Sequence, residues 1–166
     1  IFWLGKVLEN EKKEKTLTEE SEVWQRCWKL WQTRLEKAET EEISKNEQEI
    51  SDYMRWLVSA PMTLDQLYET LLKSIKYFQD RFDVMQLLDY AVGYCKQSPW
   101  ESVSLLWETI SSAREIWWRA DEEVEENILR AAMTSGDDKA REIAIKVINR
   151  RGEQGDYQWR ELLDLK

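Results

Sequence analysis

The feature of this sequence that most constrains its fold is a series of apolar residues at helical spacing, interrupted at short intervals by helix-capping residues. In the clearest case the apolar positions are i, i+4, i+7 and i+11, occupied by Trp24, Trp28, Trp31 and Leu35. That spacing places all four side chains on one face of an α-helix. Glycine and proline number only 5 and 2 in 166 residues. The pattern therefore predicts an all-α fold.

Capping residues divide the chain into about eight or nine predicted helices. Their starts are placed at Ile1, Thr18 or Ser21, Ser44, Thr63, Asp83, Ser98, Asp121, Asp137 and about Asp156. Thr63 and Gln66 have the spacing of a capping box, and Pro99 directly follows Ser98, as is typical of a first helical position. Gly136 is expected to end the seventh helix. Because the connections are short, neighbouring helices are expected to form antiparallel pairs.

A spacing of 38 residues relates two of the predicted helix pairs. The segment 98–110 aligns with 136–148, and the predicted starts Asp83 and Asp121 differ by the same distance. A two-helix unit of this length is typical of HEAT-like arrays. The sequence thus indicates a HEAT-like α-solenoid.

Within that solenoid we predict a single helical-repeat domain over residues 1–166. Residues 1–17 are an N-terminal helix and its connection, 18–62 a Trp-rich helix pair, and 63–166 HEAT-like helix pairs. The chain opens inside an apolar helical stripe without an initiator methionine. We therefore expect it to be a piece of a longer polypeptide.

The charge balance limits the classes of partner. The formal net charge is −9 and the sequence pI is about 4.8. Such a chain repels phosphate backbones and anionic membranes, so neither nucleic acid nor a membrane surface is expected as a partner. No apolar run approaches the roughly 20 residues of a transmembrane helix. Cys27 and Cys95 are the only cysteines and are interpreted as buried small side chains in the reducing cytoplasm.

Residues that carry catalytic chemistry are scarce. Histidine, the usual general base and metal ligand, is absent from the sequence. No glycine-rich loop precedes a helix to hold a phosphate group. The acidic clusters are interpreted as solvated charge at helix starts and outer faces: Glu19, Glu20 and Glu22; Glu41 and Glu42; Glu122, Glu123, Glu125 and Glu126. We expect no enzyme activity, no cofactor, no metal and no small-molecule substrate.

Two further groups of residues bear on binding. Trp117, Trp118 and Arg119 are adjacent and break the helical period, so their side chains cannot all face a core. Tryptophan and arginine dominate binding hot spots, and these three residues are the candidate partner contact, with a plug at the end of a helix pair as the alternative. The basic residues of the C-terminal part are interpreted as a solvated ion-pair surface: Arg141, Lys146, Arg150, Arg151 and Arg160.

Three stretches of the chain resemble a known group of proteins. They are the helix carrying Trp24, Trp28, Trp31 and Arg34; the segment from Ser98-Pro99 to Leu106 with the aromatic residues around Trp117–Trp118; and the run from Ile128-Leu129-Arg130-Ala131-Ala132 through Ser135-Gly136-Asp137 to Trp159-Arg160 and Leu162-Leu163. In these stretches the chain resembles the C-terminal helical-repeat region of very large bacterial multidomain proteins. Many of those appear in antiviral defence and carry a nucleotide-hydrolysing, sirtuin-like or nuclease-like effector upstream.

The resemblance implies a tail that senses or scaffolds and transfers no catalytic residue. Together with the absence of catalytic chemistry, it leads us to predict a non-catalytic module for protein–protein interaction. Its partner is either another protein or other domains of the same polypeptide. Three alternatives stay open: a purely structural cap of an upstream solenoid, a helical metal-binding or enzymatic bundle, and a helical repeat that binds single-stranded RNA.

Overall fold

The computed structural model describes residues 2–14, 17–40, 47–54, 56, 60–78, 80–112 and 121–165. Over these residues the chain forms α-helices and 3-10 helices and no β-strand, which confirms the all-α prediction. The α-helices are α1 (Phe2–Lys13), α2 (Glu22–Ala38), α3 (Glu47–Met54), α4 (Leu64–Ser74), α5 (Arg81–Tyr94), α6 (Pro99–Ser111), α7 (Glu122–Thr134) and α8 (Asp138–Glu153). Two 3-10 helices span Ile75–Tyr77 and Arg160–Asp164.

Backbone contacts divide the chain into two compact units, residues 1–87 and 88–166, with the division inside α5. In the first, called unit 1, α2 packs against α1, α3 and α4. In the second, unit 2, α6 packs against α7 and α8, and the 3-10 helix Arg160–Asp164 contacts α7 and α8. The single repeat domain, its internal boundaries and its antiparallel helix pairs stay predictions.

Three of the predicted helix starts follow the predicted capping chemistry. The Thr63 backbone N–H donates to the Gln66 side chain at 2.8 Å, and the two residues form the capping box ahead of α4. Asp121 accepts the backbone N–H of Glu123 at the start of α7. Asp137 accepts two backbone N–H groups at the start of α8. Gly136 precedes it with φ +77°, a left-handed conformation that favours glycine.

Two predicted starts need correction. The fifth helix begins at Arg81, not Asp83, because the Asp80 carboxylate caps it by accepting the backbone N–H groups of Phe82 and Asp83 at 2.8 and 3.2 Å. Asp83 is instead buried, and the Ser51 hydroxyl oxygen lies 2.8 and 2.7 Å from its two carboxylate oxygens. The ninth helix is a 3-10 helix that begins at Arg160, not at about Asp156. The predicted start at Ser44 lies outside the described residues.

Aromatic rings fill the interior of unit 1. The predicted face of α2 is buried at Trp24, Trp31 and Leu35, whereas Trp28 is half-buried. Successive ring centroids are 6.2, 6.0, 5.8 and 4.6 Å apart along the series Trp24, Trp28, Trp31, Tyr53 and Trp56. Such spacings suit offset and edge-to-face ring contacts. One continuous series of rings therefore joins α2, α3 and the turn after α3.

Small aliphatic side chains and one ion pair fill the interior of unit 2. Its buried residues include Ala91, Val103, Leu105, Leu106, Ile128, Leu129, Ala132, Ala140, Ala144, Val147 and Ile148. Among them lie Glu125 and Arg151, whose exposed fractions are 1% and 7%. The Arg151 guanidinium donates through Nε and Nη2 to the two Glu125 carboxylate oxygens at 2.8 and 3.0 Å.

This pair corrects two interpretations made from the sequence. Glu125 is not a solvated charge at a helix start, and Arg151 does not belong to a solvated surface. Glu125 lies three residues before Ile128 and seven before Ala132, on the core face of α7. Since a buried charge requires a partner, the bidentate bond from α8 compensates for the lost hydration.

Candidate protein-binding groove

The predicted partner contact, Trp117, Trp118 and Arg119, lies outside the described residues. It stays a prediction, and the described residues must supply any other candidate surface. Two open grooves of opposite character are lined by described residues of unit 2.

The first groove, called the α5–α7 groove, lies between the end of α5 and one side of α7. Its volume is about 600 Å³, which falls in the range of ligand sites. It is lined by Val92, Cys95, Lys96, Asn127, Arg130, Ala131, Thr134 and Ser135. The groove therefore combines an apolar surface with hydrogen-bonding groups and two cations.

Helical spacing explains why these residues share one groove. Asn127, Ala131 and Thr134 occupy positions i, i+4 and i+7 of α7, so they lie along one side of that helix. Val92 and Cys95 are three residues apart near the end of α5. Val92 is half-buried and Cys95 is buried. The walls are thus carried by the end of α5, by α7 and by the turns that follow the two helices.

Local hydrogen bonds hold several lining residues in place. The Thr134 hydroxyl donates to the Arg130 carbonyl oxygen at 2.8 Å, and the Ser135 hydroxyl donates to the Ala132 carbonyl oxygen at 3.0 Å. The Arg130 guanidinium donates through Nη2 to Glu126 Oε1 at 2.6 Å, one turn earlier on α7. These bonds satisfy carbonyl groups at the end of α7 and orient the Arg130 side chain along the helix.

The thiol in this groove is poorly suited to nucleophilic chemistry. Cys95 is a free cysteine with 6% of its surface exposed. Burial raises the pKa of the Cys95 thiol, and this effect outweighs the opposing influence of the neighbouring Lys96. Because the thiolate is the reactive form, Cys95 acts here as a small apolar side chain.

The second groove, called the acidic groove, lies beside the start of α7 and has a volume of about 400 Å³. It is lined by Asp121, Glu122, Glu123, Glu126, Gln158, Trp159 and Glu161. Within the described part of the chain, no three or more Asp, Glu or Cys residues are arranged to hold a metal ion. Glu126 also bonds to Arg130, so part of the negative charge is balanced within α7.

The Cys27 thiol and the Tyr53 hydroxyl in the interior of unit 1 are held in their neutral forms. Burial raises the pKa of the Cys27 thiol to about 11 and that of the Tyr53 hydroxyl to about 12. The Trp31 indole N–H donates to the buried Ser74 hydroxyl at 3.1 Å. Among the described residues, the buried indole N–H groups of Trp24 and Trp56 have no hydrogen-bond partner. These groups belong to the packed interior and form no groove of their own among the described residues.

Sequence reasoning missed the α5–α7 groove. The sequence pattern places Arg130 and Ala131 in a packing motif and predicts no contact for the side of α7 opposite its buried stripe. The available signal was the row Asn127, Ala131 and Thr134, in which small and polar side chains replace the long charged ones of a solvated helix face.

Known proteins provide no relative from which a function could be transferred. No family model, curated protein or solved structure matches the chain. The described helices include none that combines the length and the apolar character needed to cross a bilayer. A functional assignment therefore depends on the geometry of the chain itself.

Proposed function

We propose that this chain is a HEAT-like helical-repeat module that binds another protein surface, and that the α5–α7 groove is its binding surface. The observation that carries the proposal is a recurrence of buried positions. Ser102, Leu106 and Thr109 of α6 each have a buried counterpart 38 residues later in α8, namely Ala140, Ala144 and Val147. The same distance relates buried Ala91 of α5 and buried Cys95, which directly follows α5, to buried Leu129 and Met133 of α7.

The packing of unit 2 supports this interpretation. Helices α6 and α8, which occupy equivalent places in the proposed 38-residue repeat, pack against each other as well as against the intervening α7. In repeat arrays, equivalent helices of neighbouring repeats pack side by side, and the array binds its partners along an extended surface. The α5–α7 groove fits such a role because α5 and α7 are equivalent helices of two successive repeats.

The wider setting of the module is part of the same proposal. We place it in the cytoplasm, since its two cysteines are free and buried. Its resemblance to the tails of very large bacterial proteins supports a place in such a protein, with antiviral defence as the expected process. In that setting the groove contacts a partner protein or another domain of the same polypeptide.

Affinity enrichment from a lysate of the source cell tests the binding function. The baits are the unaltered chain, Ala131→Arg, which fills the groove, and Asn149→Arg, which adds the same side chain to an exposed position of α8. We expect the unaltered chain and Asn149→Arg to enrich the same proteins, and Ala131→Arg to lose them by tenfold or more. Circular dichroism and thermal melting establish that both variants are folded.

Equal enrichment by all three baits would contradict binding through the groove. Deletion of residues 1–166 from the parent protein then separates recognition from the structural-cap alternative. Loss of the parent's expression indicates a cap, whereas normal expression with loss of signalling indicates recognition.

A further inference from the structure

We infer that the α5–α7 groove accepts an acidic, amphipathic segment of a partner protein. This inference rests on the proposed binding function and names the chemistry of the partner. Lys96 and Arg130 are the charged residues that line the groove, and both are cations. They lie in a chain whose formal net charge is −9. Glu126 offsets part of the Arg130 charge, so the groove carries a partial positive charge within a chain of overall negative charge.

The two cations have donor groups for carboxylates. A lysine ammonium has three N–H groups, and an arginine guanidinium has five. The bond from Arg130 to Glu126 is made through Nη2, so it uses only part of the guanidinium. Both cationic side chains are exposed to solvent beside the groove. Glutamate or aspartate side chains of a bound segment can thus form charge-assisted hydrogen bonds at its rim.

Apolar side chains line part of the groove. Val92 and Ala131 are half-buried and Cys95 is buried, beside the polar Asn127, Thr134 and Ser135. A volume of about 600 Å³ holds a few side chains of a peptide, not a whole folded domain. The matching ligand therefore has apolar side chains on one face and carboxylates on the flanks, as an acidic amphipathic helix does.

The acidic groove strengthens the preference of an acidic segment for the α5–α7 groove. Five carboxylate residues line it, and their field opposes the approach of an acidic segment to that side of α7. An acidic partner is consequently directed towards Lys96 and Arg130, because like charges across an interface cost free energy while opposite charges speed association.

The probe for this inference is a random 16-residue peptide library displayed on phage, selected against the full 166-residue chain. We expect the selected peptides to be enriched in Asp and Glu together with Leu, Ile or Phe, relative to the unselected library. A fluorescein-labelled selected peptide should bind with an affinity that falls on raising NaCl from 50 to 500 mM, measured by fluorescence anisotropy.

Charge-reversal variants locate the binding. Lys96→Glu with Arg130→Glu should weaken binding of the selected peptide at least tenfold. The matched control, Lys139→Glu with Arg150→Glu on exposed positions of α8, should leave it within twofold. Arg130→Gln, which keeps a polar side chain of similar size, should give an intermediate loss and guards against misfolding of the double variant.

Three results would overturn the inference: selected peptides without acidic enrichment, equal loss in the groove and control variants, or displacement of the peptide by a 20-nucleotide oligothymidylate at 50 mM salt. The last result would assign the cations to nucleic acid. None of these outcomes decides the proposed binding function, which is tested separately by the lysate experiment. If Ala131→Arg loses the enriched proteins but the Lys96→Glu, Arg130→Glu variant keeps them, the groove binds protein without a preference for acidic segments.

Discussion

The two units are filled in different ways. In unit 1 the largest fully buried side chains are aromatic: Trp24, Trp31, Trp56, Tyr53 and Tyr77. In unit 2 the interior consists mainly of Leu, Ile, Val and Ala with the Glu125–Arg151 pair among them. Unit 1 concentrates its buried area in a few large residues, whereas unit 2 distributes it over many smaller ones. A single substitution should therefore destabilise unit 1 mainly by leaving a cavity and unit 2 most strongly by leaving a buried charge without its partner.

The strongest expected effect in unit 1 comes from Trp31→Ala. Trp31 is fully buried, its ring lies 6.0 Å from that of Trp28 and 5.8 Å from that of Tyr53, and its N–H is bonded to Ser74. Removal of a buried indole leaves a cavity and should lower the free energy of unfolding by about 4 kcal/mol. Urea denaturation followed by circular dichroism measures it.

Hydrogen exchange with mass spectrometry sharpens this result. If the interiors are separate, Trp31→Ala should raise exchange in α2, α3 and α4 and leave α6 and α8 protected. Trp107→Ala is the matched control, because this half-buried residue lies in unit 2. Faster exchange throughout the chain in Trp31→Ala would show that the units unfold together.

In unit 2 the next largest effect is expected from Arg151→Ala. This change leaves the carboxylate of Glu125 buried without its bidentate partner, which should cost about 3 kcal/mol. Replacement of both residues, Glu125→Leu with Arg151→Met, removes the charges together and should restore most of the loss. Thermal denaturation of the single and double variants measures this. A double variant as unstable as Arg151→Ala would mean that the pair is needed for more than mutual compensation.

Alkaline pH should destabilise unit 1 by a smaller amount, and Cys95, whose pKa is also raised by burial, acts in the same direction in unit 2. Since burial raises the pKa of Cys27 from 9.0 to about 11, both folded and unfolded states are protonated below pH 9. Between pH 9 and 11 only the unfolded state releases the proton, so stability falls as pH rises, by about 1 kcal/mol at pH 10. Urea denaturation at pH 8 and pH 10 measures the loss.

Cys27→Ala provides the control for this pH effect. The variant should have a lower free energy of unfolding than the unaltered chain at pH 8. Its free energy of unfolding should then fall less between pH 8 and pH 10 than that of the unaltered chain. Tyr53, whose pKa is raised to about 12, contributes in the same direction at higher pH. An unchanged difference between the two pH values in Cys27→Ala would assign the alkaline loss to other groups.

The smallest expected effect concerns exposed ion pairs, which should not distinguish the units at all. Glu22–Arg26 in unit 1 and Glu126–Arg130 in unit 2 are both solvent-exposed pairs at i, i+4 spacing. Glu22→Gln and Glu126→Gln should each lower the free energy of unfolding by about 0.3 kcal/mol at low salt and by less in 1 M NaCl. A cost above 1 kcal/mol for either would show that the pair acts through further contacts.

The secondary structure of both units followed largely from local chemistry. Capping boxes, Asp caps and a left-handed glycine act over a few residues, so Thr63, Asp121 and Gly136 could be assigned from the sequence. The fifth helix was misplaced because two aspartates, Asp80 and Asp83, lie three residues apart and either can cap a helix. Their roles depend on Ser51, a distant residue whose hydroxyl donates to Asp83.

The buried ion pair and the groove required information that a sequence pattern does not contain. Glu125 lies among three other glutamates, and its burial depends on Arg151, 26 residues later on another helix. The groove depends on how the end of α5 lies beside α7. Helical periodicity predicts which side of a helix is apolar but not which exposed side a neighbouring helix leaves open.

Each unit contains one cysteine with little or no exposed surface: Cys27 at 0% in unit 1 and Cys95 at 6% in unit 2. A thiol reagent reacts slowly with such a residue until its surroundings open. The rates at which the reagent modifies the two sulfurs thus report separately on transient exposure in the two units. No cysteine has to be introduced by mutation to measure them.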